Sequence, residues 1–306
     1  NYRRRMNMIK RNNNYLKEMY PIVPRLFLGF LLFFEVYFLV ILISNVAQIK
    51  VGIEEIVGAV TIFTFLMSLR IADEFKDCET DLKFFPDRPY PSGRVLKKDL
   101  VVLLVFVCVV TITLNVIFMN NLIFFAILMG YGLLMSLWFF NKSKIQKNLL
   151  LALVTHNPVQ LIIILYIISF ACIKYNLPIF TISNLIIAFT LYLPGLIWEV
   201  SRKIRAPKDE TEYETYSKIF GVKKATHFVM LVMLLDAITR SILVYELFPW
   251  AVITVIVSYA WLVWKCTDFI KDPTKFQLIK KFELYEYSTE STVIVLEAIF
   301  LIGRYI

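Results

Sequence analysis

The chain has 306 residues, a formal charge of +9 and a mean hydropathy of +0.67, and 58% of its residues are hydrophobic. A soluble domain of this length cannot bury so much apolar surface, which excludes an ordinary soluble protein and favours a polytopic membrane protein. The positive charge then favours an anionic lipid leaflet over nucleic acid as electrostatic partner, and the few, widely spaced cysteines and histidines predict neither disulfides nor a zinc site.

Apolar residues occur in nine runs that are long enough to cross the hydrocarbon core of a bilayer. Several neighbouring runs are separated by only a few polar residues, which indicates tight turns between antiparallel helices. The sequence therefore predicts one all-α membrane domain over residues 1–306, built as a bundle of nine transmembrane helices. The predicted spans are residues 25–48, 53–72, 100–118, 121–140, 149–172, 179–198, 225–246, 249–266 and 288–306.

Basic residues give the predicted orientation, because lysine and arginine concentrate in cytoplasmic loops. Most of them fall in segments on one side of the nine-helix arrangement, and that side includes the amino terminus. We expect no signal peptide, and we expect the inner membrane of a bacterium as the location. Three polar segments are predicted on the cytoplasmic face: a basic tail (1–21), a first cap loop (73–98) and a second cap loop (199–224).

The second predicted helix ends in a dense group of acids. Asp73, Asp77 and Asp81 stand at i, i+4 and i+8, which places them along one face of a helix, and Glu74 lies one position further round. Carboxylates at the mouth of a membrane protein suit Mg²⁺, which binds hard oxygen ligands together with substrate phosphates. The group therefore predicts a Mg²⁺ site.

A second interpretation of these acids needs no metal. Arg70, Lys76 and Lys83 are spaced so that they can neutralise the acids through i,i+3 and i,i+4 ion pairs, leaving a solvated helix end. The next segment, "RPYPSG" from Arg88 to Gly93, favours the metal interpretation. Its prolines make a rigid turn, and its guanidinium suits diphosphate oxygens.

Together, the acids and the turn resemble the first motif of the UbiA superfamily of intramembrane prenyltransferases. That motif, N-D-x-x-D-x-x-x-D followed by R-P-x-P-S-G, is similar to "DEFKDCETD" followed by "RPYPSG". Asp73 stands at the Asn position and Glu74 at the first Asp position, whereas Asp77 and Asp81 match. The resemblance implies that these four acids bind Mg²⁺, that Asp77 and Asp81 are catalytic, and that Arg88 binds diphosphate.

The second motif of the superfamily, D-x-x-x-D after the sixth helix, diverges in this chain. Glu199 stands at the first acidic position, and Lys203 replaces the acid four residues later. In the favoured interpretation Glu199 is catalytic and binds a metal, while Arg202 and Lys203 bind the diphosphate directly. Alternatively, Asp209 or Glu210 supplies the missing ligand. A third interpretation is a basic anchor for lipid headgroups.

Two further sets of residues carry predictions. The segment "NKSKIQKN" resembles a lysine-bearing turn of the superfamily, so Lys142 or Lys144 is a candidate diphosphate ligand, with a plain topology signal as the alternative. In the seventh predicted helix, Asp236 and Arg240 are four residues apart, and we expect them to form a structural ion pair inside the bundle.

The resemblance implies an enzyme that uses Mg²⁺ to transfer a prenyl group from a polyprenyl diphosphate to an acceptor within the membrane. Its implied partners are the polyprenyl diphosphate, a hydrophobic acceptor, with an aromatic one favoured, and membrane lipid; no nucleic acid is implied. One alternative is a terpene cyclase of the same superfamily, which needs no acceptor. The other is a transporter or channel, which the sequence disfavours because few charges lie in the middle of the spans.

Overall fold

The computed structural model describes residues 7–212 and 214–305, and every regular element in these ranges is helical. Long apolar runs form the long helices, and Pro158 or short polar segments separate them. The α-helices are α1 (Met8–Met19), α2 (Ile22–Ile43), α3 (Ile53–Lys76), α4 (Cys78–Phe84), α5 (Lys97–Phe118), α6 (Leu122–Ser136), α7 (Lys142–Ile145), α8 (Leu149–His156), α9 (Val159–Lys174), α10 (Ile182–Ser201), α11 (Tyr216–Phe220), α12 (Val222–Leu247), α13 (Val252–Lys271) and α14 (Leu278–Tyr305).

The all-helical membrane class is confirmed, but the count of nine spans is not. Within the described ranges, seven helical segments are long and apolar enough to cross a membrane. The predicted span 121–140 is the shorter α6, with 15 residues, followed by an irregular turn. The predicted span 288–306 belongs to α14, where Glu286, Glu290 and Glu297 interrupt the apolar sequence.

The helices form two compact units. Unit 1 contains Asn1–Phe34 and Lys50–Lys142, and unit 2 contains Glu35–Ile49 and Ser143–Ile306. In unit 1, α3 packs against α5, and in unit 2, α12 packs against α10 and α13. Both cores consist of aliphatic and aromatic side chains that bury the apolar faces of these helices.

The predicted basic tail contains a helix that is packed on unit 1. The first six residues of the tail lie outside the described residues, and α1 follows directly, capped by the side chain of Asn7. Arg11 on α1 forms a buried ion pair with Asp99 on α5, with 2.6 Å between Nε and Oδ2. The hydroxyl of Tyr20 donates to the carbonyl of Phe63 on α3 at 2.8 Å. These contacts fix the tail segment beside the first cap.

Candidate functional site

The acids of the first cap lie on consecutive helical turns. α3 ends at Lys76, Asp77 has non-helical angles (φ −103°, ψ 11°), and α4 begins at Cys78. The backbone N–H of Asp77 donates to the carbonyl of Asp73 at 2.9 Å, and that of Asp81 donates to the carbonyl of Asp77 at 2.9 Å. The i+4 hydrogen-bond pattern thus continues across the break, and the predicted register of the three aspartates is retained.

Two of these acids are paired with cations on α3. Arg70 Nη2 lies 2.5 Å from Glu74 Oε1, and Lys76 Nζ lies 3.5 Å from Asp73 Oδ1. These are the i,i+4 and i,i+3 pairs that the metal-free interpretation predicts. The side chain of Asp73 remains about a third exposed, at 35%, so it is open to a further ligand.

Glu74 differs from Asp73 in its surroundings. Its side chain is fully buried, and the hydroxyl of Tyr15 on α1 donates to Oε1 at 3.4 Å. Its other oxygen, Oε2, has no hydrogen-bond partner among the residues that the structure describes. Glu74 is therefore a buried partner of Arg70 inside unit 1.

Asp77, unlike Asp73 and Asp81, has no direct ion pair among the described residues. Burial raises the pKa of Asp77 to about 6; Lys76 acts in the opposite direction, and the charges of Asp73 and Asp81 raise the pKa further. A carboxylate in these surroundings gains stability when a cation arrives. Asp77 is therefore the acid of the first cap best suited to a metal.

The turn after α4 places Arg88 beside Asp81. Arg88 Nη1 donates to Asp81 Oδ1 at 2.8 Å, and the guanidinium lies 4.0 Å from the centre of the Phe85 ring. Backbone bonds from Ser92 to Arg88 and from Val95 to Pro89 close the turn, and Gly93 provides its left-handed residue (φ 71°). Asp81 and Arg88, predicted for different roles, thus form one hydrogen-bonded group.

An open cavity of about 290 Å³ lies beside this group, and α1 contributes to its wall. Glu18 on α1 accepts two hydrogen bonds from Arg94, at 2.6 and 2.8 Å, which ties α1 to the turn. The sequence did not predict this contact, because a polar tail gives no signal of its tertiary partner. The cavity is lined by Glu18, Phe84, Phe85, Pro86, Asp87 and Arg88.

The two lysines of the "NKSKIQKN" segment have different positions. Lys142 belongs to unit 1, where its Nζ lies 3.1 Å from Glu79 Oε2, so it adds an exposed cation next to the first cap. Lys144 belongs to unit 2 and is exposed on the short helix α7. Of the two predicted diphosphate ligands, Lys142 is the one that contacts the first cap.

In the second cap, the predicted metal ligand Glu199 forms ion pairs with the predicted diphosphate ligands Arg202 and Lys203. Arg202 donates to both oxygens of Glu199, at 2.8 and 2.9 Å, and Lys203 Nζ lies 2.8 Å from Glu199 Oε1. The guanidinium of Arg202 also lies 5.1 Å from the centre of the Trp198 ring. The end of α10 is therefore a compact group with one acid and two cations, which has the charge expected of an anion-binding group.

Glu210, the alternative ligand of the second cap, is engaged by hydroxyl groups. It accepts hydrogen bonds from Thr215 at 2.7 and 2.8 Å and from Ser217 at 2.5 Å. Ser217 Oγ also accepts from the backbone N–H of Arg205 at 2.9 Å. Glu210 therefore fixes the loop, and Asp209 is exposed at the end of the Pro207–Asp209 turn.

Among the described residues, no group of three or more His, Cys, Asp or Glu side chains is arranged to hold a metal ion. Mg²⁺ commonly uses one or two protein carboxylates and completes its shell with substrate phosphates and water. Asp73 and Asp77 fit this requirement, because both are hard oxygen donors on successive turns and one lacks an ion pair. The catalytic assignments of Asp77, Asp81 and Glu199 remain predictions, and so do the metal assignments of these three residues and of Asp73 and Glu74.

Comparison with solved structures finds the same fold in another protein. The chain matches a solved structure described as a digeranylgeranylglyceryl phosphate synthase in membranes, with a TM-score of 0.65 and 15% sequence identity. The match covers 94% of this chain and 98% of the other. No family model and no curated protein matches the chain. The shared feature is therefore the fold.

Proposed function

We propose that the protein is a membrane enzyme that transfers a prenyl group from a prenyl diphosphate to an acceptor. The observation that carries this proposal is the fold shared with the digeranylgeranylglyceryl phosphate synthase over 94% of the chain. The name of that protein denotes geranylgeranyl groups carried on glyceryl phosphate. The motif resemblance in the first cap supports the same chemistry independently of the fold. We further propose the bacterial inner membrane, with a cytoplasmic amino terminus, as the location.

We propose Asp73 and Asp77 as the principal Mg²⁺ ligands. Both follow the apolar part of α3, and Asp77 has the raised pKa of an acid whose charge is poorly compensated. Glu74, the ligand that the motif resemblance implies, is buried against Arg70 and Tyr15 and supports the shape of the cap instead. A bound Mg²⁺ would supply positive charge that stabilises the departing diphosphate.

The protein's own cations complete the proposed diphosphate site of the first cap. Arg88 donates hydrogen bonds to diphosphate oxygens, and Asp81 holds its guanidinium in place through the bond at 2.8 Å. The exposed ammonium group of Lys142 adds a positive charge next to Glu79. The apolar side chains of the spans suit the isoprenoid tail and exclude water from an allylic cation.

The second cap contributes a separate set of proposed ligands. Arg202 and Lys203 are the proposed diphosphate ligands, and Glu199 orients both through its ion pairs. Glu199 also remains the proposed metal ligand of this cap, since a carboxylate with two cations can exchange one of them for Mg²⁺. Lys144 is an exposed candidate with no further support from the geometry.

Product analysis tests the proposed function. The full-length protein in nanodiscs is incubated with Mg²⁺ and geranyl, farnesyl or geranylgeranyl diphosphate, with and without a phenolic or glyceryl phosphate acceptor. Diphosphate release that requires an acceptor, with a prenylated acceptor as product, supports the proposal and identifies the acceptor class. An isoprenoid product made equally fast without acceptor supports the cyclase instead. No turnover of any prenyl diphosphate contradicts both.

A further inference from the structure

Unit 2 contains a group of charged side chains that the proposed transfer does not use. Arg240 on α12 has no exposed surface and pairs with Asp236 at 3.2 Å, which confirms the predicted i,i+4 pair. It also contacts two acids on α14, Glu290 at 2.5 Å and Glu286 at 3.7 Å. The hydroxyl of Tyr285 donates to Asp236 Oδ2 at 2.8 Å. The sequence predicted one pair, and the structure contains a larger group.

Two further glutamates complete this group. Glu35 on α2 is 5% exposed, and it is close enough to Glu290 for the two carboxyl groups to interact. Glu297 on α14 is 4% exposed and is close enough to Glu290 for their charges to interact. We name the whole set the buried network. It comprises Glu35, Asp236, Arg240, Tyr285, Glu286, Glu290 and Glu297.

The charges of the buried network do not balance if every acid is ionised. The network contains five carboxyl groups and one guanidinium, so full ionisation would leave an excess of four negative charges. An ionised carboxylate inside a membrane bundle is costly unless it is paired and hydrogen-bonded. Two neighbouring buried carboxyl groups, such as Glu35 and Glu290, moreover repel each other unless one of them carries a proton.

Among the described residues, the ion pairs of the buried network involve no cation other than Arg240. α10 and α13 pack against α12 and α14, and the titratable groups on their apolar stretches are the phenols Tyr192 and Tyr259. The described charged residues of these two helices lie close to their carboxyl-terminal ends. They are Glu199 on α10 and Lys265, Asp268 and Lys271 on α13.

Buried oxygen atoms show where protons are needed. Oε1 of Glu35 and Oε1 of Glu297 have no hydrogen-bond partner among the described residues, and both side chains are more than nine-tenths buried. Protonation removes the charge that burial penalises at such a carboxyl group.

We propose that the buried network is a proton-binding site. At neutral pH, Glu35 and Glu290 share one proton, Glu286 and Glu297 each hold another, and Asp236 and Glu290 remain the partners of Arg240. The ligand of the site is the proton itself, bound between α2, α12 and α14. This proposal stands whether or not the protein transfers prenyl groups.

Infrared difference spectroscopy tests the proposal on the full-length protein in nanodiscs at neutral pH. Protonated carboxyl groups give a carbonyl band that is separate from carboxylate bands and shifts in D₂O. We expect this band in the wild type, and we expect part of it to be lost in Glu35→Gln and in Glu297→Gln. Glutamine at position 35 can still donate to Glu290, so the fold should be retained. The control is Glu283→Gln, a partly exposed acid on the same helix that accepts from Trp198.

The spectra of the wild type and the variants distinguish a proton-binding site from a fully ionised network. Loss of band intensity in either folded variant, with the Glu283→Gln spectrum unchanged, supports the proton-binding site. Absence of a protonated-carboxyl band from the wild type overturns it, and so does a band that neither folded variant reduces. Glu297→Gln keeps the test decisive if Glu35→Gln fails to fold, because Glu297 has no ion pair with Arg240 among the described contacts.

Discussion

The first cap and the buried network both gather acids around arginine, but they compensate the negative charge differently. In the first cap, Asp73, Glu74 and Asp81 each have their own cation, and Asp77 has none. In the buried network, several acids share Arg240. The density of acids is similar in the two regions, so density alone does not determine their chemistry. The number of cations per acid and the access to solvent determine it.

The physical basis of this difference is desolvation. A partly exposed carboxylate such as Asp73 keeps part of its hydration and can exchange Lys76 for a metal. A buried carboxyl group loses that hydration and must be paired or protonated. We therefore expect substitutions in the buried network to change stability, and substitutions in the first cap to change activity.

The largest expected effect is that of Arg240→Met. Removing the guanidinium leaves buried acids without their shared partner, which should lower the free energy of unfolding by about 3–5 kcal/mol. The measurement is the thermal midpoint and the monodisperse fraction in detergent. The control is Arg202→Met, whose exposed pair with Glu199 should be worth about 0–1 kcal/mol. Equal losses in the two variants would contradict the expectation that the buried network contributes more to stability than an exposed ion pair does.

Asp77→Asn should affect activity without harming the fold. We expect turnover of the prenyl diphosphate to fall by about 100-fold, a typical loss when one electrostatic contact to a reacting group is removed. The thermal midpoint should stay level or rise, because burial penalises the charge of Asp77. Asp268→Asn, a partly exposed acid on α13, is the control. Full activity of Asp77→Asn would exclude Asp77 as a metal ligand.

Asp81→Asn tests a positioning role. The change removes the charge that holds Arg88, so we expect a higher KM for the prenyl diphosphate as well as a lower kcat. Arg88→Lys retains the charge but loses the planar guanidinium, and it should reproduce most of the increase in KM. An unchanged KM in both variants would argue against a diphosphate contact at Arg88.

Neutralising Arg202 or Lys203 should have a smaller kinetic effect. We expect kcat/KM to fall by about 10-fold or more, in keeping with about 1.5–3 kcal/mol for a charge-assisted hydrogen bond. Lys223→Gln and Lys224→Gln, at the start of α12, are controls for general attraction to lipid. If the Arg202 and Lys203 variants behave like these controls, the second cap is an anchor for headgroups. A substrate titration of each variant measures the difference.

The smallest expected effect concerns the exposed pair between Glu18 and Arg94. The hydrogen bonds from Arg94 lower the pKa of Glu18, so the stabilisation is present above the ordinary pKa of glutamate. It is lost as the pH falls through the lowered pKa. Glu18→Gln should therefore reduce stability by about 0–1 kcal/mol at neutral pH and by less in acid. Thermal midpoints measured across this pH range check the sign.

The part of the fold that the sequence predicts is the part governed by local patterns. Apolar runs placed α3, α5 and α12 within a few residues, and the i+4 spacing of the aspartates predicted their register. The contacts that join distant segments were not predictable. Arg11 pairs with Asp99 across 88 residues, and no local pattern specifies such a partner.

In the candidate site, too, the local contacts were predictable from the sequence and the contacts between distant segments were not. The ion pairs of Arg70 and Lys76 follow from their spacing along α3, and the sequence offered them as an alternative to the metal. The burial of Glu74 does not follow from spacing, because it depends on Tyr15 of a helix that resembled a solvated tail. The role of Glu35 was likewise missed, since a single acid in an apolar run gives no indication of its partner on α14.

Binding of geranylgeranyl diphosphate to the full-length protein, with and without Mg²⁺, tests the central claim most directly. Calorimetric titration in nanodiscs should show binding that requires Mg²⁺ in the wild type and in Asp268→Asn. The affinity should be at least about 10-fold weaker in Asp77→Asn, the difference expected from losing about 1.4 kcal/mol at the metal. Binding that is equally tight without Mg²⁺ and in Asp77→Asn would contradict the account, and so would no binding at all.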